Sequence, residues 1–99
     1  MKDAAGDDLP HSTEAEQQLL GTLLTHNESF ARVEDVLTPA IFHDPLHGQI
    51  FERIAARVAD GRIASPVTLK ADLAGHAGLE ELGGPPYLAR LAAASIVPH

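Results

Sequence analysis

Three times in this chain a residue able to cap a helix is followed at once by proline: Thr38-Pro39, Asp44-Pro45 and Ser65-Pro66. A cap's side-chain oxygen accepts a hydrogen bond from the free N–H groups of the first turn. Proline at the first helical position gives up nothing by lacking its own N–H. Each pair therefore starts a helix and prevents the preceding one from running through. The chain is cut into short helices. Sheet is a poor alternative, because the aromatics are only Phe30, Phe42, Phe51 and Tyr87, and alanine and leucine dominate an apolar fraction of 44%. No segment shows the period-two alternation of a half-buried strand. The expected fold is all-α, a compact orthogonal bundle of about six short helices.

Residues 1–11 read as a disordered leader, acidic and without apolar periodicity, and residues 12–97 as the helical domain. Thr13 and Glu16 have the spacing of a capping box for the first helix. Ala15, Leu19 and Leu23 recur every four residues, with Leu20 and Leu24 beside them. Gly21 interrupts this pattern at a cost of ~1 kcal/mol relative to alanine, so a neighbouring helix is expected to approach it closely. Asn27 or Ser29 then caps a second helix with Phe30, Val33 and Leu37 on its buried face. The turn begun by Thr38-Pro39 is expected to carry Ile41 and Phe42 inward.

Asp44-Pro45 opens the strongest helix, with Leu46, Ile50, Phe51, Ile54 and Val58 in one stripe and Gly61 as its stop. Gln49, Glu52, Arg53, Arg57 and Asp60 fall toward solvent. Ser65-Pro66 opens another helix with Val67, Leu69 and Leu73 as its apolar surface, fading at Gly75. Leu79 and Leu82 mark a short helix, Gly83-Gly-Pro-Pro86 a turn, and Tyr87, Leu88 and Leu91 a last helix. The first and third helices carry the broadest apolar faces and are expected at the centre.

The balance of 7 Lys and Arg against 14 Asp and Glu, a net charge of −7, argues against direct DNA binding, which needs clustered cations. Arg53, Arg57 and Arg62 read as a solvated face balanced by Glu52 and Asp60. Without cysteine there is no disulfide or thiolate chemistry. No apolar run approaches the ~20 residues of a membrane span, and the polar, acidic start is not a signal peptide. A cytoplasmic protein is expected.

Among 6 histidines, His43-x-x-x-His47 has the best metal-ligand spacing. Pro45 puts the helix start near Asp44, leaves His43 outside it and breaks the shared face, so no metal site is expected. His47 lies on the apolar side and reads as a buried histidine bonded to a backbone group. No catalytic residue is assigned: the carboxylates of Glu14/Glu16 and Glu80/Glu81 sit too close in sequence to face one another on a helix. Gly83-Gly84 lacks the phosphate-loop pattern and is followed by prolines, so no cofactor site is expected.

One ordered set of residues remains: Ala15-Glu16-Gln17 through Leu20-Gly21, then Phe42, then His47 with Ile50-Phe51, then Val67-Thr68-Leu69 with Leu73, then Gly83-Gly84 with Tyr87-Leu88-Leu91. Over about residues 9–97 this resembles the N-terminal domain of the bacterial replicative DNA helicase, the DnaB family. The resemblance marks Glu16, Gly21, Phe42, His47, Ile50, Phe51, Gly83 and Tyr87 as its structural signature. Gly48 departs from it, standing where similar proteins carry a larger, often basic residue.

The resemblance implies the head of a collar that supports a homohexamer, pairs with itself as a dimer and recruits primase through the primase's C-terminal domain. It further implies that a helical hairpin, a linker helix and a RecA-like ATPase domain would follow, with ATP and Mg bound there, so the 99 residues alone would not be an enzyme. A helicase-binding adaptor like the C-terminal domain of primase is the alternative. A small metal-dependent enzyme is a third reading.

Overall fold

A computed structural model describes residues 13–95; the leader assigned to 1–11 lies outside them. The described residues form a helical bundle of six α-helices and two 3-10 turns, with no strand. The helices are α1 (Thr13–Thr25), α2 (Phe30–Val33), α3 (Pro45–Ala59), α4 (Pro66–Asp72), α5 (Ala77–Glu81) and α6 (Pro86–Ala93). The 3-10 turns are Asn27–Ser29 and Pro39–Ile41. None of these helices is long and apolar enough to cross a membrane.

Two of the three cap-proline pairs act as full caps. The Asp44 carboxylate accepts from the Leu46 N–H at 2.9 Å and Pro45 is the first residue of α3. Ser65 accepts from the Thr68 N–H at 3.3 Å, while the Thr68 hydroxyl accepts from the Ser65 N–H at 2.9 Å, so α4 starts with a reciprocal capping box. Thr38 makes no cap bond, and Pro39 starts only a single 3-10 turn. That turn buries Phe42 but leaves Ile41 51% exposed, against the expectation that both point inward. One turn of helix faces one residue to the core, and the larger ring takes the place. Val67 and Leu82, expected as apolar packing, are also exposed. Val67 stands in the first turn of α4, whose buried face belongs to Leu69.

The core joins Leu20, Leu23 and Leu24 of α1 to Leu46, Ile50, Phe51 and Ile54 of α3 and Tyr87, Leu88 and Leu91 of α6. The Phe51 ring lies between those of Phe30 and Phe42, with centroids 5.6 and 5.3 Å away. The centre expected of the first and third helices has a third member, because α1 packs most extensively against α6. Gly21 permits that approach. A Cβ built there would stand 1.9 Å from the Leu91 carbonyl oxygen and 3.0 Å from the Ser95 nitrogen. The close neighbour expected of this glycine is thus the backbone of α6. Gly48 plays a similar part on α3, where a Cβ would meet the Pro39 carbonyl oxygen at 2.6 Å. It is buried.

Candidate functional site

Polar atoms inside a small apolar core need partners, since an unpaired buried donor or acceptor costs ~1–3 kcal/mol. In this core the polar atoms converge from α1, α3 and α6. His47 is fully buried on α3. Its Nδ1 lies 2.8 Å from Glu16 Oε1 on α1, and its Nε2 lies 2.6 Å from the Tyr87 hydroxyl on α6. The Gln17 amide donates to that same hydroxyl at 3.0 Å. A carboxylate only accepts, so the ring proton sits on Nδ1. Nε2 then accepts from the tyrosine O–H, whose oxygen accepts from Gln17. Both ring nitrogens of His47 and the Tyr87 hydroxyl are then engaged.

Glu16 does more. Its Oε2 accepts from the His43 N–H at 2.6 Å, and its Oε1 faces the Asp44 N–H at 3.4 Å. The carboxylate that was expected to cap its own helix caps α3 instead. Thr13 is already helical in α1, so the Thr13/Glu16 box is not formed. Burial raises the Glu16 carboxyl, but the His47 bond and the two backbone N–H groups together hold it below its ordinary value. Burial pushes the Tyr87 phenol up. Arg90 lies 5.4 Å over the Tyr87 ring and donates to the Leu82 carbonyl at 3.0 Å, closing the outer side.

The arrangement orients three helices and leaves no open position for a reacting group. His47 spends both ring nitrogens on side chains, not on the backbone group expected, and no lone pair remains for a metal. His43 is exposed. Among the described residues no cluster of His, Asp or Glu is arranged to hold a metal ion.

Of the sequence signature, Glu16, His47 and Tyr87 meet in this network. Ile50 and Phe51 pack in the core beside it. Phe42 closes the core next to the His43 N–H that Glu16 holds. Gly21 sets the spacing of α1 and α6. Gly83 serves a turn, with φ of 104°, where its N–H donates to the Glu80 carbonyl at 3.1 Å, and Gly84 follows with φ of 78°.

The sequence did not single out Gln17 as a partner or Asn27 as a brace. Asn27 caps no helix N-terminus. Its amide donates to the Leu23 and Ala64 carbonyls at 2.7 and 2.8 Å and accepts from the Ala64 N–H at 2.9 Å. These partners are up to 37 residues away, so no local pattern reveals them. Arg57, expected in solvent, is half-buried and grips Asp72 through two bonds of 2.8 and 3.0 Å, tying α3 to α4.

Known proteins share this architecture. The family model described as the DnaB-like helicase N terminal domain matches residues 8–99. The Replicative DNA helicase DnaB of Rickettsia typhi is 37% identical over 89 residues, 90% of this chain and 18% of that protein. The helicase of the same name from Geobacillus stearothermophilus is 40% identical over 84 residues, 84% of this chain and 18% of that protein. This chain thus spans under a fifth of the length of those relatives. The crystal structure of the N-terminal domain of DnaB helicase from Mycobacterium tuberculosis superposes with a TM-score of 0.79 at 32% identity, covering 89% of this chain and 64% of that one. A matching family model and a matching fold agree, and the chain belongs to the DnaB-like helicase N-terminal domain family.

Proposed function

We propose that this chain is the collar head of a replicative ring helicase, acting in hexamer assembly and primase recruitment while ATP-driven unwinding at the replication fork is carried by residues outside these 99. The observation that carries the reading is the coincidence of the family match over residues 8–99 with a fold match of TM-score 0.79. The polar centre supports it. Linking α1, α3 and α6 through Glu16, His47 and Tyr87 makes a stiff head, which suits a docking role better than a catalytic one. ATP and Mg are assigned to the motor, because these 99 residues carry no Gly-x-x-x-x-Gly-Lys-Ser/Thr loop. DNA contact is likewise assigned elsewhere, since a net charge of −7 repels a phosphate backbone.

The test uses the full protein that carries this chain. It is expected to unwind forked DNA with ATP and to sediment as a hexamer. Its capture of the isolated C-terminal domain of primase is expected to fall when residues 13–95 are removed. A folded full protein without ATP-dependent unwinding would sink the helicase reading, and unchanged primase capture after the deletion would sink the recruitment role.

A further inference from the structure

The failure of Ile41 to turn inward leaves an apolar groove beside the polar centre. Ala15, Glu16 and Leu19 of α1 face Leu37, Ile41 and Phe42 across a shallow groove of about 170 Å³. Ile41 stands 51% exposed on it, and Val36, just ahead of Leu37 in the chain, is 71% exposed. Large apolar side chains gathered at one groove, rather than scattered singly, are the mark of a contact surface. Among the described residues, the segments that frame the groove carry exposed Glu14, Glu34 and Asp35 against one cation, Arg32.

We propose that this groove is the docking site for a basic amphipathic helix of a partner protein. An apolar stripe on such a helix would cover Ile41 and Leu37, and lysines or arginines at its edges would face Glu14, Glu34 and Asp35. A second copy of this chain is the poorer occupant. It carries the same net charge of −7 and would bring acidic residues against acidic residues. The proposal concerns the surface and stands apart from the helicase reading: it holds for whatever larger protein carries the chain.

The experiment is an amide-resolved NMR titration of the 99-residue chain at physiological salt. The probe is a synthetic amphipathic helix of leucine and lysine, with its leucine–glutamate counterpart as control. Saturable shifts are expected at Leu19, Leu37, Ile41 and Phe42 with the lysine peptide and none with the glutamate peptide. Ile41→Glu is expected to weaken binding by about tenfold or more. Ile63→Glu, at an exposed apolar position away from the groove, is expected to leave it unchanged. Both sites are largely exposed, so both variants are expected to fold, and their melting curves verify this. Shifts spread over the acidic surface and indifferent to Ile41→Glu would overturn the proposal as charge attraction alone. Concentration-dependent broadening at the groove without peptide would overturn it in favour of a second copy.

Discussion

Gly21 and Glu16 are the residues at which the fold is least tolerant of change, for opposite reasons. At Gly21 the obstacle is backbone: the Leu91 carbonyl carbon and oxygen stand 2.9 and 1.9 Å from the place a methyl would take, and a helix backbone cannot swing away as a flexible side chain can. On an exposed helix Gly→Ala would stabilise by up to ~1 kcal/mol. Here overpacking wins, and Gly21→Ala is expected to destabilise by about 3 kcal/mol, the upper part of the ordinary range, or to force α6 off α1. A raised melting temperature would refute the close approach. At Glu16 the demand is charge. Its folded pKa lies below the ordinary 4.5, so its contribution is fully present above pH 4.5 and is lost as pH falls through the folded value. Glu16→Gln keeps the shape and removes the charge, and at neutral pH it is expected to cost about 1–3 kcal/mol through the weakened bonds to His47 and the His43 and Asp44 N–H groups. The difference in melting temperature between wild type and Glu16→Gln should shrink below pH 4.5. Asp72, also held low by Arg57, titrates in both proteins and cancels from the comparison.

Among the elements, those with a local chemical signal were the ones legible in the sequence. Asp44-Pro45 and Ser65-Pro66 start helices as read, because a cap and its target lie within three residues of each other. The stripe of α3 and the buried trio Tyr87, Leu88 and Leu91 followed from helical periodicity. His47 was legible as a buried histidine, but its partners lie 31 and 40 residues away on other helices, so its bonds were not. The same distance hid the service of Glu16 to α3. The Pro39 turn went wrong at Ile41 because a single 3-10 turn has no period from which to read a face. Asn27 shows the cost of judging a polar residue by its neighbours alone. It looked like a cap and is the brace between the end of α1 and the loop before α4. Asn27→Ala strands the buried Ala64 backbone groups, and is expected to destabilise by about 1–3 kcal/mol. Amide exchange at Ala64 should speed up in that variant, and unchanged protection there would show that the brace contributes nothing.

At the scale of the whole molecule the question is what a domain of this size can hold by itself. Its best apolar side chains, from Leu20 and Leu23 to Leu88 and Leu91, are inside. The large apolar residues left outside are Val36 and Ile41 by the groove, and Ile63, Val67 and Leu82 on other segments. A specific, stable interface buries at least ~1,200 Å² in total, and obligate ones bury more and are more apolar. Two copies would each bring a net charge of −7, which further opposes pairing except at high salt. The isolated 99-residue chain is therefore expected to be a monomer, or a weak dimer, at micromolar concentration, with any dimer strengthening as salt is added. On the proposed recruitment role, the same shortage of surface keeps the expected affinity for the C-terminal domain of primase weaker than about 1 μM for this chain alone. Sedimentation equilibrium over a range of protein and salt concentrations tests the first expectation, and calorimetry with the purified primase domain tests the second. A hexamer in the centrifuge would mean that shape complementarity across polar surface outweighs the charge. Submicromolar primase binding would mean that a groove of about 170 Å³, or a surface like it, acts as a concentrated anchor.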